Sequence, residues 1–282
     1  MDTMSLKIDK PLVSSDWLNA HLDLKQLIVL DCTIPKVSLN TFVSEEKTQI
    51  KGAVYFDIKN SFSDNKSAFP NTVLSPEVFE ERAQKIGIHQ DTIVVCYDAL
   101  GTYSSPRVWW MFQLMGFKNV VVLDGGLPAW KASGFPIESM RVNKLQRGNF
   151  KAIYQPRKLK YTADVFESID NKEVLIADAR PNDRYNGTTP EPRKDLKSGH
   201  IPSSINLPFI DIQNNGKMKT ETELITIFNS FKNKKEIIFT CGSGITAAIL
   251  ALGAAIVKID NVAVYDGSWT EWASTKHLPI SL

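Results

Sequence analysis

The chain has 282 residues, 43% of them hydrophobic and 23% charged, with a formal net charge of +2. That length suggests two domains of about 140 residues, each able to bury a core, and so small a charge does not call for a nucleic-acid partner. No apolar run reaches membrane-spanning length, and Met1-Asp2-Thr3-Met4-Ser5-Leu6-Lys7 lacks the apolar stretch of a signal peptide, so a cytoplasmic protein without a membrane partner is expected.

From the amino terminus, Ser14-Ser15-Asp16 reads as a capped helix start, and residues 27–31 as a buried strand. Residues 50–57 read as another short strand. Ser75-Pro76-Glu77 opens a helix with proline in its first turn, and Gly87 stops it. A strand over 92–97 and a helix over 108–115 follow. Cys32, at a strand end, is expected to be partly exposed, and Cys96, inside a strand, to act as a small buried hydrophobe.

Much of this order returns downstream. Thr162-Ala163-Asp164 echoes the first helix start, residues 174–178 echo 28–31, and 200–206 echo 50–55. Thr220 with Glu223 offers a capping box. Residues 121–126 return as 262–268, and Asp124 stands at the same offset from Trp130 as Asp266 from Trp272. Between the repeats the chain turns basic, with Arg141, Lys144, Arg147, Lys151, Arg157 and Lys158, and reads as a solvated crossing strap. The expected division is a first domain over 1–140, a linker over 141–160 and a second domain over 161–282. Strands alternating with helices make both domains α/β, each a mostly parallel sheet flanked by helices.

The most informative stretch lies in the second repeat, where Glu236-Ile237-Ile238-Phe239-Thr240 runs into Cys241-Gly242-Ser243-Gly244-Ile245-Thr246-Ala247. It reads as strand, tight loop and apolar helix, with Cys241 at the strand's carboxyl end, where open α/β sheets bind ligands. Glycines at 242 and 244 let backbone N–H groups turn inward, and the helix amino terminus adds partial positive charge, which together favour a thiolate. The bland alternative is a buried, inert thiol. The run also fits an alanine-ending dinucleotide fingerprint, but too little chain follows it for a mononucleotide half. A cysteine phosphatase would need an arginine shortly after the nucleophile, and residues 242–251 contain none. A serine elbow would need glycine where Cys241 stands. Aligning the repeats places Tyr97 opposite Cys241 and Asp98 opposite Gly242, leaving the first domain without a nucleophile. Three cysteines and four histidines, all far apart, predict reduced thiols and no metal site.

The order Cys241-Gly242-Ser243-Gly244-Ile245-Thr246 resembles the active-site loop of the rhodanese superfamily, in the form carried by its 3-mercaptopyruvate sulfurtransferases. Ser105-Pro106-Arg107-Val108-Trp109-Trp110 resembles the signature of that family's inactive domain, which packs the domain interface. The resemblance implies two tandem rhodanese-like domains, the second catalytic. It implies sulfur transfer from 3-mercaptopyruvate through a persulfide on Cys241 to a thiol, thioredoxin or cyanide, with release of pyruvate and with no cofactor. It further implies that Arg184 and Arg193, in the loop after residues 174–178, hold the substrate carboxylate, that Ser243 donates a hydrogen bond to the substrate or passes a proton to the departing enolate, and that Asp57 approaches from the first domain. A histidine that cooperates with this aspartate in the family aligns with Asn71, which weakens any relay through both. Arg180 reads as structural, paired with an aspartate, and His200 is given no chemistry. Thiosulfate-using members carry two cations where this chain has Gly242 and Ser243, so a thiosulfate:cyanide sulfurtransferase is the alternative enzyme. A catalytically silent rhodanese-like binding module is the alternative of another class.

Overall fold

The computed structural model describes residues 8–34, 48–143, 145–193 and 195–282. Residues 1–7 and Lys144 of the basic strap, both read above, lie outside the described residues.

The first repeat contributes β1 (Leu12–Val13), α1 (Ser15–His21), β2 (Leu27–Asp31), β3 (Thr48–Ile50), β4 (Val54–Tyr55), α2 (Pro76–Lys85), β5 (Ile93–Tyr97), α3 (Ser105–Leu114), β6 (Val120–Leu123), α4 (Gly126–Ala132) and β7 (Ile137–Ser139). The second contributes β8 (Leu159–Lys160), α5 (Thr162–Ser168), β9 (Val174–Asp178), α6 (Asn182–Tyr185), β10 (Ile205–Asn206), β11 (Gln213–Asn214), β12 (Lys217–Met218), α7 (Glu221–Ile227), β13 (Glu236–Thr240), α8 (Ala247–Ile256), β14 (Val262–Tyr265) and α9 (Ser268–Ser274). Two five-stranded sheets result, ordered β1-β6-β5-β2-β4 and β10-β9-β13-β14-β8, and their strands pair in parallel. Read from β8, the second sheet repeats the first, so each half is the same α/β unit. Caps act where the sequence places them: Ser14 Oγ accepts the Trp17 N–H at 3.1 Å, and Thr220 N–H donates to Glu223 Oε2 at 2.9 Å.

Four expectations change. Residues 50–57 are not one strand: β3 pairs antiparallel with β7, Gly52 turns the chain at φ 78°, and β4 then joins the main sheet. The basic strap keeps Arg141, Arg147, Lys151 and Arg157 exposed, as a solvated strap should, but it is also anchored, with Phe150 fully buried and the N–H groups of Gly148, Phe150 and Ile153 bonded to the Gln84, Ile88 and Met115 carbonyls. A Cβ at Gly148 would collide with the Ile88 carbonyl oxygen, so only glycine allows this docking. Cys32 is fully buried rather than partly exposed, and burial together with a hydrogen bond to Cys96 pushes its thiol pKa up.

The fourth change concerns register. Asp31 lies opposite Tyr97, and Asp178 lies opposite Thr240, so Tyr97 matches Thr240 and it is Asp98, not Tyr97, that occupies the place of Cys241. Asp98 is fully buried, and its carboxylate accepts the N–H groups of Leu100, Tyr103, Ser104 and Ser105 and the Ser105 hydroxyl at 2.7–2.9 Å. The first domain therefore keeps an anion-holding loop and fills it with its own carboxylate.

One hydrophobic cluster crosses both units, because α3 and the wholly apolar α8 pack against each other between the sheets. The loops of the two repeats then trade contacts. Asp124 accepts the Met218 N–H at 2.9 Å and its counterpart Asp266 accepts the Val73 N–H at 2.7 Å, so each domain holds a loop of the other by the same device.

Candidate active site

In the second sheet β9 and β13 are neighbours, so the segments leaving their carboxyl ends lie side by side. Cys241 follows β13 directly. Its side chain is 1% exposed, at the floor of a cleft of ≈ 310 Å³. Sγ accepts the Gly244 N–H at 3.1 Å, and the Ser268 hydroxyl stands 3.9 Å away. Gly244 has φ 79°, and a Cβ there would lie 2.8 Å from the Asp266 carbonyl oxygen. Gly242, in contrast, has no left-handed backbone. A Cβ there would lie 3.1 Å from Arg184 Nη2, so this glycine makes room for a guanidinium beside the nucleophile's own loop.

The loop is fastened from beneath by α9. Cys241 N–H donates to Ser268 Oγ at 3.2 Å, and the Gly242 carbonyl accepts from the Thr270 N–H at 3.0 Å and the Thr270 hydroxyl at 2.5 Å. Arg193 Nη1 reaches the same Thr270 Oγ1 at 3.1 Å. Arg184 is held by Glu191, whose Oε2 accepts from Nη2 at 2.5 Å. Glu191 also accepts from Arg180 at 2.9 Å, and Arg180 binds Asp178 at 2.7 Å and lies over the Trp269 ring. Arg180 borders the cleft but is consumed structurally, as its sequence position implies, while Arg184 and Arg193 face the cleft that holds Cys241.

Gly242, Ser243, Ile245 and Thr246 line this cleft as well. Ser243 meets the first domain, since Asn71 Nδ2 donates to its carbonyl at 3.1 Å and its hydroxyl at 3.2 Å. Asp57 does not join them. It lines no part of the cleft, and its carboxylate binds the Asn60 backbone and side chain at 3.0–3.2 Å. His200 stacks on Tyr185 with ring centroids 3.9 Å apart.

Sequence reasoning does not single out Tyr103, and it reads Arg107 only as part of the run over 105–110 expected to pack the domain interface, without a partner. Tyr103, from the first domain, enters the cleft and packs edge-on against Phe209. Burial raises its pKa, the neighbouring Cys241 adds to this and Arg184 opposes it, so its phenol stays protonated at neutral pH. Arg107 of α3 is fully buried and joins the domains at the site: it pairs with Asp266 at 2.6 Å and donates to the carbonyls of Asn71 at 2.7 Å and Gly244 at 3.3 Å. The shared tryptophan offset of Asp124 and Asp266 is the sequence trace of this joint.

A family model for the Rhodanese-like domain matches residues 14–133 and again 162–275. The chain belongs to the rhodanese-like family. A 3-mercaptopyruvate sulfurtransferase of Escherichia coli strain K12 is 35% identical over 273 residues, covering 95% of this chain and 96% of that protein. A thiosulfate sulfurtransferase of Mus musculus is 38% identical over 233 residues, 80% of this chain and 78% of its own. The crystal structure of SseA from Escherichia coli, described as a 3-mercaptopyruvate sulfotransferase, superposes with a TM-score of 0.81 at 33% identity, covering 92% of this chain and 99% of that one. In rhodanese-like terms, the loop after β13 is the candidate active site, and Asp98 stands at the matching position of the first domain. Among the described residues, no helix is long and apolar enough to cross a membrane.

Proposed function

We propose that this rhodanese-like protein is a sulfurtransferase that takes sulfur from 3-mercaptopyruvate onto Cys241 and passes it to a thiol or cyanide acceptor. The observation that carries the reading is the cleft itself, in which one sulfur shares the space with Arg184 and Arg193 while the loop beside it carries no cation. The division into a first domain over 1–140, a strap over 141–160 whose last two residues form β8 at the edge of the second sheet, and a catalytic domain over 161–282 belongs to the same proposal. Three free cysteines suit a reducing compartment, and the cytoplasm is the location we propose.

In the first step the Cys241 thiolate attacks the donor sulfur, the carbon–sulfur bond breaks, and its electron pair moves onto the pyruvate skeleton as an enolate. The Gly244 N–H, already directed at Sγ, stabilises negative charge there. Arg184 and Arg193 hold the donor carboxylate, and Ser243 hands a proton to the enolate. In the second step an acceptor thiolate takes the outer sulfur, and the electron pair of the sulfur–sulfur bond returns to Cys241. Asp57, bound to Asn60, is given no step.

Truncating Arg184 or Arg193 to alanine is expected to lower kcat/KM for mercaptopyruvate about ten- to hundredfold, the scale of one lost charge-assisted contact. Alkylation of Cys241 by a neutral reagent should continue in both variants. Normal kcat/KM in both would remove the arginines from donor binding.

Donor choice follows from charge. Thiosulfate is a compact dianion that benefits from cations beside the attacked sulfur; Gly242 and Ser243 supply none, which leaves Arg184, already tied to Glu191, and Arg193 to offset two charges. Release of pyruvate from mercaptopyruvate should therefore exceed release of thiocyanate from thiosulfate with cyanide by at least about tenfold in kcat/KM. The reverse ratio would favour the thiosulfate:cyanide reading, and activity with neither donor would favour a silent binding module.

A further inference from the structure

A second cleft, of ≈ 500 Å³, shares Arg193 with the first, and its walls include Lys59, Asp64, Phe69 and Asn71 as well. It adjoins the Cys241 cleft at two points: Arg193 lines both, and Asn71 is bonded to Ser243 of the nucleophile loop at 3.2 Å. Its walls carry both signs of charge. Lys59 is exposed, and Arg193 spends Nη1 on Thr270. Asp64 uses Oδ1 to accept the Lys66 N–H at 2.9 Å, which leaves Oδ2 for an incoming donor. Cys241 is 1% exposed, so a second substrate must reach its sulfur by way of a cleft rather than across a flat surface.

We propose that this second cleft is the acceptor subsite, and that it takes a small thiol bearing both a carboxylate and an ammonium, an aminothiol acid such as cysteine. This rests on the persulfide reading above. Lys59 and Arg193 receive the carboxylate, Asp64 receives the ammonium, and the thiol is directed past Asn71 toward the outer sulfur. In a two-step transfer the donor skeleton leaves before the acceptor arrives, so Arg193 serves two carboxylates in turn. The acceptor thiolate bonds to the outer sulfur, the bond from that sulfur to Cys241 breaks, and Sγ keeps the electron pair. The acceptor departs as a persulfide, with no other reagent consumed.

The test loads the protein with mercaptopyruvate, removes excess donor, and follows discharge by four thiols: cysteine, 3-mercaptopropionate, cysteamine and 2-mercaptoethanol. Lys59→Ala is expected to raise the half-saturating concentration about tenfold for the two thiols with a carboxylate, leaving cysteamine and 2-mercaptoethanol as before. Asp64→Asn keeps an acceptor for the Lys66 N–H and is expected to raise it for the two thiols with an ammonium. Equal shifts for all four thiols, no shift in either variant, or no discharge of the loaded protein by any of the four would overturn the subsite. If the native protein takes up no sulfur on Cys241, the persulfide reading fails and the subsite with it; normal loading with charge-blind discharge removes the subsite alone.

Discussion

Replacing Cys241 with serine is expected to reduce mercaptopyruvate turnover to background, a loss of at least about four orders of magnitude, the scale seen when a covalent nucleophile is removed. The prediction is specific to one thiol. Cys241 stands at the end of β13 with the Gly244 N–H on its sulfur, in a cleft with Arg184 and Arg193. Cys32 and Cys96 are fully buried in the first domain's core, and the Cys32 thiol is pushed toward its protonated form. Cys32→Ala and Cys96→Ala should therefore lose some stability through the cavities they leave, and still turn over mercaptopyruvate. Turnover by Cys241→Ser, or its loss in a folded Cys32→Ala protein, would move the nucleophile elsewhere.

The second large effect is on stability. Arg107→Met leaves the Asp266 carboxylate buried without its counter-charge, and removing one partner of such a pair costs about 3–5 kcal/mol. The same arginine ties the Asn71 loop to the Gly244 loop, so the variant should lose activity even at temperatures where it remains folded. Combining Arg107→Met with Asp266→Leu removes both charges and should recover much of the stability without the activity, since the Val73 N–H also loses its acceptor. Denaturant unfolding of the two single variants and the double variant measures the coupling. A loss of less than about 1 kcal/mol in Arg107→Met would show that the pair does not hold the domains together.

The sequence makes the elements legible because buried parallel strands are continuous apolar runs: β2, β5, β9 and β13 fall where those runs lie. It also makes the nucleophile loop legible, since strand, glycine turn and apolar helix are all local signals. Register is harder. The repeats align to within one residue by pattern, but only the pairing of Asp31 with Tyr97 and of Asp178 with Thr240 shows that Asp98 takes the place of Cys241. The contributions of Tyr103, Arg107 and Asn71 depend on loops brought together from more than a hundred residues away, and no period in the sequence encodes such meetings. Gly242 is legible as a turn glycine, yet its reason is different: it leaves space for Arg184. Phe150 shows the opposite case, an aromatic side chain that together with Gly148 docks a strap whose composition is basic.

The most direct measurement is the intact mass of the native protein after brief exposure to mercaptopyruvate without an acceptor, followed by peptide mapping, with pyruvate quantified in the same sample. The account predicts a gain of one sulfur atom per chain, located on the peptide containing Cys241, with one pyruvate released for each sulfur gained. Sulfur on Cys32 or Cys96, or pyruvate released with no sulfur retained on the protein, would contradict it.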